Sequence, residues 1–187
     1  MHDDIKKAIE VLQQGGLILY PTDTIWGIGC DATNPEAVKR VYELKQREDS
    51  KSMLVLLDND AKLNSYMDEV PEMAWDIVEL ATKPTTIIYP NAKNLAANLL
   101  AEDKSVGIRI TKEEFSHKLC QRFKKPIVST SANISGQPSP ANFGEISEEV
   151  KNGVDYIIEY RQEETSNPAP SSIIKLGLGG EIQIIRE

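Results

Sequence analysis

Residues 34–57 read NPEAVKRVYELKQREDSKSMLVLL, and the fold class turns on how this stretch divides. Asn34 is a good helix N-cap and Pro35 suits the first helical turn. Val38, Val41, Tyr42 and Leu44 then recur at helical spacing and form one apolar face. Met53 to Leu57 is an unbroken apolar run, the pattern of a buried strand. A helix feeding a buried strand is the unit from which α/β domains are built.

The same alternation runs in both directions. Upstream, Ile5, Ala8, Ile9 and Leu12 predict a helix over 3–14, with Asp3 or Asp4 as its cap and Gly15-Gly16 as its stop. LILY (17–20) reads as a strand. Downstream, a weak helix is expected over 59–66 and another from Pro71 through Leu80. TTIIY (85–89), SVGIRI (105–110) and PIVS (126–129) read as strands, with a helix over 112–123 between the last two and a short one over 145–152. YIIEY (156–160), SSIIKL (171–176) and EIQIIR (181–186) are three late strands. LGLGGE (176–181) has the glycines of a phosphate loop but lies between two strands, so it reads as a hairpin turn. RQEETSNPAP (161–170) is a polar loop, too short to act as a linker between domains. The expected fold is one α/β domain over residues 1–187, with a mixed sheet flanked by helices.

Composition narrows the chemistry. At 187 residues and 40% hydrophobic content the chain can bury a real core. No apolar run is long enough for a membrane helix, and the acidic start lacks the pattern of a signal peptide, so a cytoplasmic protein with no membrane partner is expected. The two cysteines, Cys30 and Cys120, make no disulfide framework and read as buried thiols. With His2 and His117 as the only histidines, no zinc-ligand set or Cys-His pair stands out, and no metal ligands are assigned. His117 falls in an amphipathic helix beside Phe115, Leu119 and Phe123 and reads as a surface residue. A net charge of −8 argues against a protein whose main task is to grip nucleic acid, although a local basic patch stays open.

Three stretches carry candidate chemistry. In KQREDSKS (45–52), Lys45 and Arg47 would diverge on a helix but share a face in an extended segment. If the helix stops near Lys45, these two and Lys51 can converge on one anion; otherwise they only complement a helix dipole. PTDTIWG (21–27) follows a strand, where open α/β sheets place ligands; an ordinary hydroxyl or carboxylate turn reads equally from it. STSANISG (129–136) also follows a strand. Held extended, it sets Ser129, Ser131 and Asn133 on one face, a row able to donate to phosphate or carboxylate oxygens. No GxSxG elbow and no Walker sequence is present, so neither a serine nucleophile nor a P-loop is expected.

Taken in order, PTDTIWGIGCDA, LKQREDSKSMLVLL, SVGIRIT, PIVSTSANISGQPSP, SSIIK and IIRE resemble the YrdC-like L-threonylcarbamoyladenylate synthase family over nearly the whole chain. The most specific feature is the coupling of a KxR motif, here Lys45 and Arg47, to an SxN motif, here Ser131 and Asn133. The resemblance implies a single domain whose twisted sheet forms a concave, locally positive cavity. It implies a reaction that joins L-threonine, bicarbonate and ATP into threonylcarbamoyl-AMP and pyrophosphate, with Mg²⁺ accompanying the triphosphate. Lys45, Arg47, Ser131 and Asn133 would form the catalytic set. Arg47, Lys51, Ser105, Ser131, Ser139 and Arg186 would contact ATP. Thr24, Arg109, Ser129 and one of Ser171 or Ser172 would bind threonine, Arg109 meeting the carboxylate with paired hydrogen bonds. A separate transferase complex would pass the product to tRNA, which this chain would meet only indirectly or weakly. The sequence departs from the family pattern at Glu48, Ser52, Leu56, residues 82–86 and Lys175. Two other readings are an RNA-binding module without nucleotide turnover and a carbamoyl-transfer domain with another acceptor.

Overall fold

The computed structural model describes residues 1–47, 53–166 and 168–187. Helix α1 (His2–Gln13) leads into a hairpin of β1 (Ile18–Tyr20) and β2 (Gly27–Gly29). Helix α2 (Pro35–Lys45) and strand β3 (Leu54–Leu57) follow, then α3 (Leu63–Tyr66), α4 (Glu72–Leu80), β4 (Thr85–Tyr89) and β5 (Val106–Ile110). Helix α5 (Glu114–Phe123), β6 (Ile127–Ser131), α6 (Glu148–Asn152), β7 (Tyr156–Ile157), β8 (Ser172–Leu176) and β9 (Ile182–Arg186) complete the chain.

The described strands form one sheet in the order β7-β1-β2-β6-β3-β5-β4-β8-β9. The pairs β1–β7, β3–β5 and β4–β8 are parallel and the other neighbours antiparallel, so the sheet is mixed as expected. Strand β6 sits where the two halves meet. Its Ser131 and Thr130 face Gly27 and Ile28 of β2, while Ser129, Val128 and Ile127 face Leu54, Val55 and Leu56 of β3. Helices α1 and α5 pack on each other and over β1, β3 and β7. Ile5, Ala8 and Leu12 of the one and Phe115, Leu119 and Cys120 of the other fill that layer. Both cysteines are buried free thiols.

Several local expectations are corrected. The first helix begins at His2 with no side-chain cap. Asp4 is buried instead and accepts hydrogen bonds from the Tyr156 hydroxyl (2.6 Å) and the Glu159 amide (3.1 Å), tying the helix to the sheet's β7 edge. The weak helix at 59–66 breaks into a 3₁₀ turn at Asp60–Lys62 and the short α3. In YIIEY only Tyr156 and Ile157 form the strand. The strand at PIVS runs on to Ser131 because β2, which the apolar pattern did not disclose, pairs with that end. His117 is half-buried, its Nδ1 3.1 Å from the Thr111 carbonyl.

Glycine has a packing reason at position 29. A Cβ there would lie 2.6 Å from Tyr20 Cε1 and 2.9 Å from the Val128 carbonyl oxygen. Tyr20 is itself fixed by a 3.1 Å hydrogen bond to that carbonyl. Gly29→Ala is expected to cost about 1–3 kcal/mol of stability, the range for overpacking a tight core. A urea midpoint equal to that of the unaltered protein would contradict this.

Candidate active site

The strands do more than build a core. Thr86 and Ile88 of β4, Gly107 and Arg109 of β5, Ser129 and Ser131 of β6, and Ile173 and Lys175 of β8 all line one cavity of about 660 Å³. Each pair is spaced i and i+2, so each points to one face of the sheet. The intervening Ile87 of β4 and Ile108 of β5 are buried in the core, whereas in β6 the intervening Thr130 also borders the cavity. The apolar-looking strands are therefore two-faced, with the cavity on one side and the packed layer on the other.

Around this floor stand three further segments. The turn after β1 supplies Thr24, Ile25 and Trp26; the segment after β6 supplies Ser139, Pro140 and Ala141; the loop before β8 supplies Pro168, Pro170 and Ser171. Trp26 packs against Phe143 with ring centroids 4.9 Å apart, bracing the first of these against the second. Arg47 enters from the end of α2 and Arg186 from β9. The described lining thus carries Arg47, Arg109, Lys175 and Arg186 and no carboxylate. A chain with net charge −8 has a cationic cavity. Such a site favours anionic ligands, because low-dielectric walls focus the field of fixed charges.

The KxR segment is arranged differently from the extended pair expected. Helix α2 ends at Lys45, and Gln46 adopts a left-handed conformation (φ 50°, ψ 42°). The Gln46 amide donates to the Glu43 carbonyl and the Arg47 amide to the Tyr42 carbonyl. This double bond pattern is the Schellman motif that closes helix C-termini. It reverses the chain, so Lys45 turns inward while Arg47 lines the cavity.

Lys45 is 1% exposed, and its Nζ donates to the carbonyls of Ser131 and Asn133, both at 2.6 Å. The Ser135 amide donates back to the Lys45 carbonyl at 2.8 Å. The two motifs are therefore joined through the backbone of 131–135. Burial, helped by the nearby Arg47 charge, pushes the Lys45 ammonium down to about 8. Burial also pulls Arg47 below its ordinary value.

The row Ser129, Ser131, Asn133 is likewise shorter than expected. Ser129 and Ser131 lie in β6 and line the cavity, but the Asn133 amide donates to the Ser131 carbonyl at 2.9 Å and bends the chain away. Asn133 Nδ2 donates to the carbonyls of Ile134 and Gln137, closing the turn. Its Oδ1 is buried with no partner among the described residues.

Of the residues singled out from the sequence, Thr24, Arg47, Ser105, Arg109, Ser129, Ser131, Ser139, Ser171 and Arg186 line the cavity. Lys45, Asn133 and Ser172 are not among its lining. Lys51, with Glu48 and Ser52, falls outside the described residues. Ser171 and Ser172 separate clearly. Ser172 pairs with Thr85 in the sheet, whereas the Ser171 hydroxyl shares a 3.0 Å hydrogen bond with Thr86 Oγ1. Arg186 Nε donates to the Ser171 carbonyl at 2.8 Å, so this serine braces the last cavity arginine. Leu56 is fully buried, in register with Arg109. Lys175 faces the cavity and pairs with Asp103 at 3.0 Å. Trp26 and Thr86 were missed; a period-two reading of TTIIY could have shown Thr86 on the polar side, while Trp26 gave no signal.

Comparison with known proteins gives this geometry a context. The family model described as "Telomere recombination", covering Sua5, YciO and YrdC proteins, matches residues 10–187. A threonylcarbamoyl-AMP synthase of Pseudoalteromonas translucida is 34% identical over 181 residues, 95% of each chain. The Sua5 protein of P. abyssi, solved in complex with L-threonine, matches 92% of this chain with a TM-score of 0.84 and 28% identity. This chain spans 50% of that structure's length. E. coli YciO matches in fold with a TM-score of 0.83 at 24% identity, over 98% of this chain and 88% of its own. By the extent of these matches, the chain belongs to the Sua5/YciO/YrdC family.

Proposed function

We infer that this protein is a threonylcarbamoyl-AMP synthase, joining L-threonine, bicarbonate and ATP into threonylcarbamoyl-AMP with release of pyrophosphate. The observation that carries this reading is the one cavity whose described lining brings Arg47, Arg109 and Arg186 together with the hydroxyls of Thr24, Ser105, Ser129 and Ser131. Relatives that share almost its full length carry this activity by name.

The chemistry asks for such a place. The carbamate of threonine is an anion and must attack the α-phosphorus of ATP, so like charges are brought together. Fixed cations and donors that need no reorganisation lower that barrier. In this reading Arg47 and Arg186 hold the triphosphate, with Ser105, Ser131 and Ser139 donating to its oxygens and Lys51 adding charge. Thr24, Arg109, Ser129 and Ser171 hold threonine, from β5, β6 and the two flanking loops. The attacking oxygen then comes from the β5–β6 side of the floor and the leaving pyrophosphate departs along the Arg47 and Arg186 side. No side chain becomes covalently attached, and positioning supplies the remaining rate enhancement.

Among the described residues no cluster of three His, Cys, Asp or Glu side chains could cage a metal ion. Mg²⁺ fits this cavity only as a companion of the triphosphate, held by phosphate oxygens and water, as is usual for nucleotide substrates. There it would neutralise phosphate charge alongside Arg47 and Arg186. Asn133 serves the site by closing the turn that follows Ser131, and Lys45 by fixing the carbonyls of Ser131 and Asn133. The product is an activated mixed anhydride, so a transferase that delivers the threonylcarbamoyl group to tRNA is its natural consumer. No helix among the described residues is long and apolar enough to cross a membrane; we assign the protein to the cytoplasm, where ATP and tRNA meet.

The direct test is pyrophosphate release by the purified protein with Mg²⁺. Release that requires threonine, bicarbonate and ATP together is expected, and release that ignores threonine would sink the assignment. Arg47→Ala and Arg109→Ala should each lower kcat/KM on the order of 100-fold, the scale for removing one transition-state donor. Lys45 has a separate signature. Its proton is lost near pH 8 in the folded protein and near 10.5 when unfolded. The unfolded chain therefore binds more protons across that window, and stability contributed by this group rises with pH from about 8 to 10.5. Denaturation curves of Lys45→Met should lack that rise and lie lower overall, since two buried carbonyls lose their donor. A parallel pH dependence in the two proteins would show that Lys45 titrates normally.

A further inference from the structure

Arg109 is 2% exposed, and its Nη2 lies 2.9 Å from Asp23 Oδ1. Both side chains are largely withdrawn from water, at 3% and 12% exposure. The contact is close but poorly aligned. Asp23 Oδ1 and Arg109 Nε are both buried without a hydrogen-bond partner among the described residues. A buried guanidinium with no countercharge is strongly unfavourable, so Asp23 is what allows Arg109 to stand charged in the cavity wall. At the same time the loose pairing leaves Arg109 with unused donors, and a buried unsatisfied donor calls for a ligand oxygen or water.

Asp23 is itself held rigidly. Thr22 Oγ1 accepts from the Thr24 amide at 3.1 Å and donates to the Ile25 carbonyl at 2.8 Å, folding the turn tightly around residue 23. From outside, Arg161 Nη1 donates to the Thr22 carbonyl and to Glu113 Oε1, each at 3.2 Å. Glu113 in turn caps α5 through the amides of Phe115 and Ser116. The turn that carries Asp23 is thus tied, through Arg161 and Glu113, to the N-terminus of α5. Asp23 does not line the main cavity; it borders a smaller one of about 120 Å³ instead. Its influence on a ligand in the main cavity runs through Arg109.

We propose that Asp23 is a positioning residue for amino-acid recognition: it neutralises and orients the Arg109 guanidinium so that the remaining N–H groups meet the substrate carboxylate. The proposal rests on the assignment of threonine to this cavity. Burial raises the Asp23 carboxyl above its ordinary value and the Arg109 charge opposes this, as a mutually dependent pair requires.

The test is a double-mutant cycle read by threonine affinity, measured calorimetrically on the protein without ATP, together with KM and kcat. Asp23→Asn should weaken threonine binding and raise its KM by about tenfold or more, with the KM for ATP within about twofold. Asp23→Glu, which keeps the charge but moves it by one methylene, should fall between. In an Arg109→Met background, Asp23→Asn should add nothing. Unchanged threonine affinity in Asp23→Asn, or an equal further loss in the Arg109→Met background, overturns the proposal. Should Asp23→Asn fail to fold, Asp23→Glu decides: a raised threonine KM at an unchanged unfolding midpoint supports positioning, and a normal KM refutes it. Failure of the functional assignment looks different, because the unaltered protein would then bind no threonine and release no pyrophosphate.

Discussion

The ammonium of Lys45, buried against the carbonyls of Ser131 and Asn133, joins the segments from which the cavity is made. It fastens the end of α2 to the end of β6, so that Arg47 and Ser131 are held in one wall. A charged group there costs desolvation, which shows in its depressed proton affinity. Two short charge-assisted hydrogen bonds offset that cost. Helix and strand then close on each other through the Ser135 amide as well, and the cavity gains a wall that does not depend on a ligand.

This arrangement divides labour within each motif. In KxR the left-handed Gln46 sends one cation inward to hold backbone and the other outward to the cavity. In SxN the serine remains in the strand and the asparagine folds away to close a turn. Adjacent positions of similar chemistry thus separate into a supporting role and an exposed one. The Arg109–Asp23 pair repeats the scheme on β5, with one member lining the cavity and its partner behind it.

Much of this was legible in the chain. The Asn34-Pro35 start, the apolar run 53–57 and the strand at 85–89 lie where their patterns put them, because caps, proline and unbroken apolar runs act locally. Of the residues that the family resemblance named, nine line one cavity, from Thr24 to Arg186, while Lys45, Asn133 and Ser172 do not. What was hidden depends on distant partners. Strand β2 is three residues, Gly-Ile-Gly, with no propensity of its own; it is a strand because β1 and β6 flank it. The turn at Gln46 is unusual for a residue with a side chain, and nothing nearby announces it. The inward course of Lys45 follows from carbonyls more than eighty residues away, and spacing rules for one segment cannot report them.

The contrast between an acidic chain and a cationic cavity has a consequence for selection by size. At physiological salt, charges are screened beyond about 8 Å. A small anion held in the cavity would feel the lining cations more than acids on distant faces of the molecule. A polyanion too large for a cavity of about 660 Å³ would meet the net charge of −8 instead. The same molecule therefore presents opposite signs to small and large phosphates. Size alone would then set which sign of charge an approaching anion meets, without a dedicated gate.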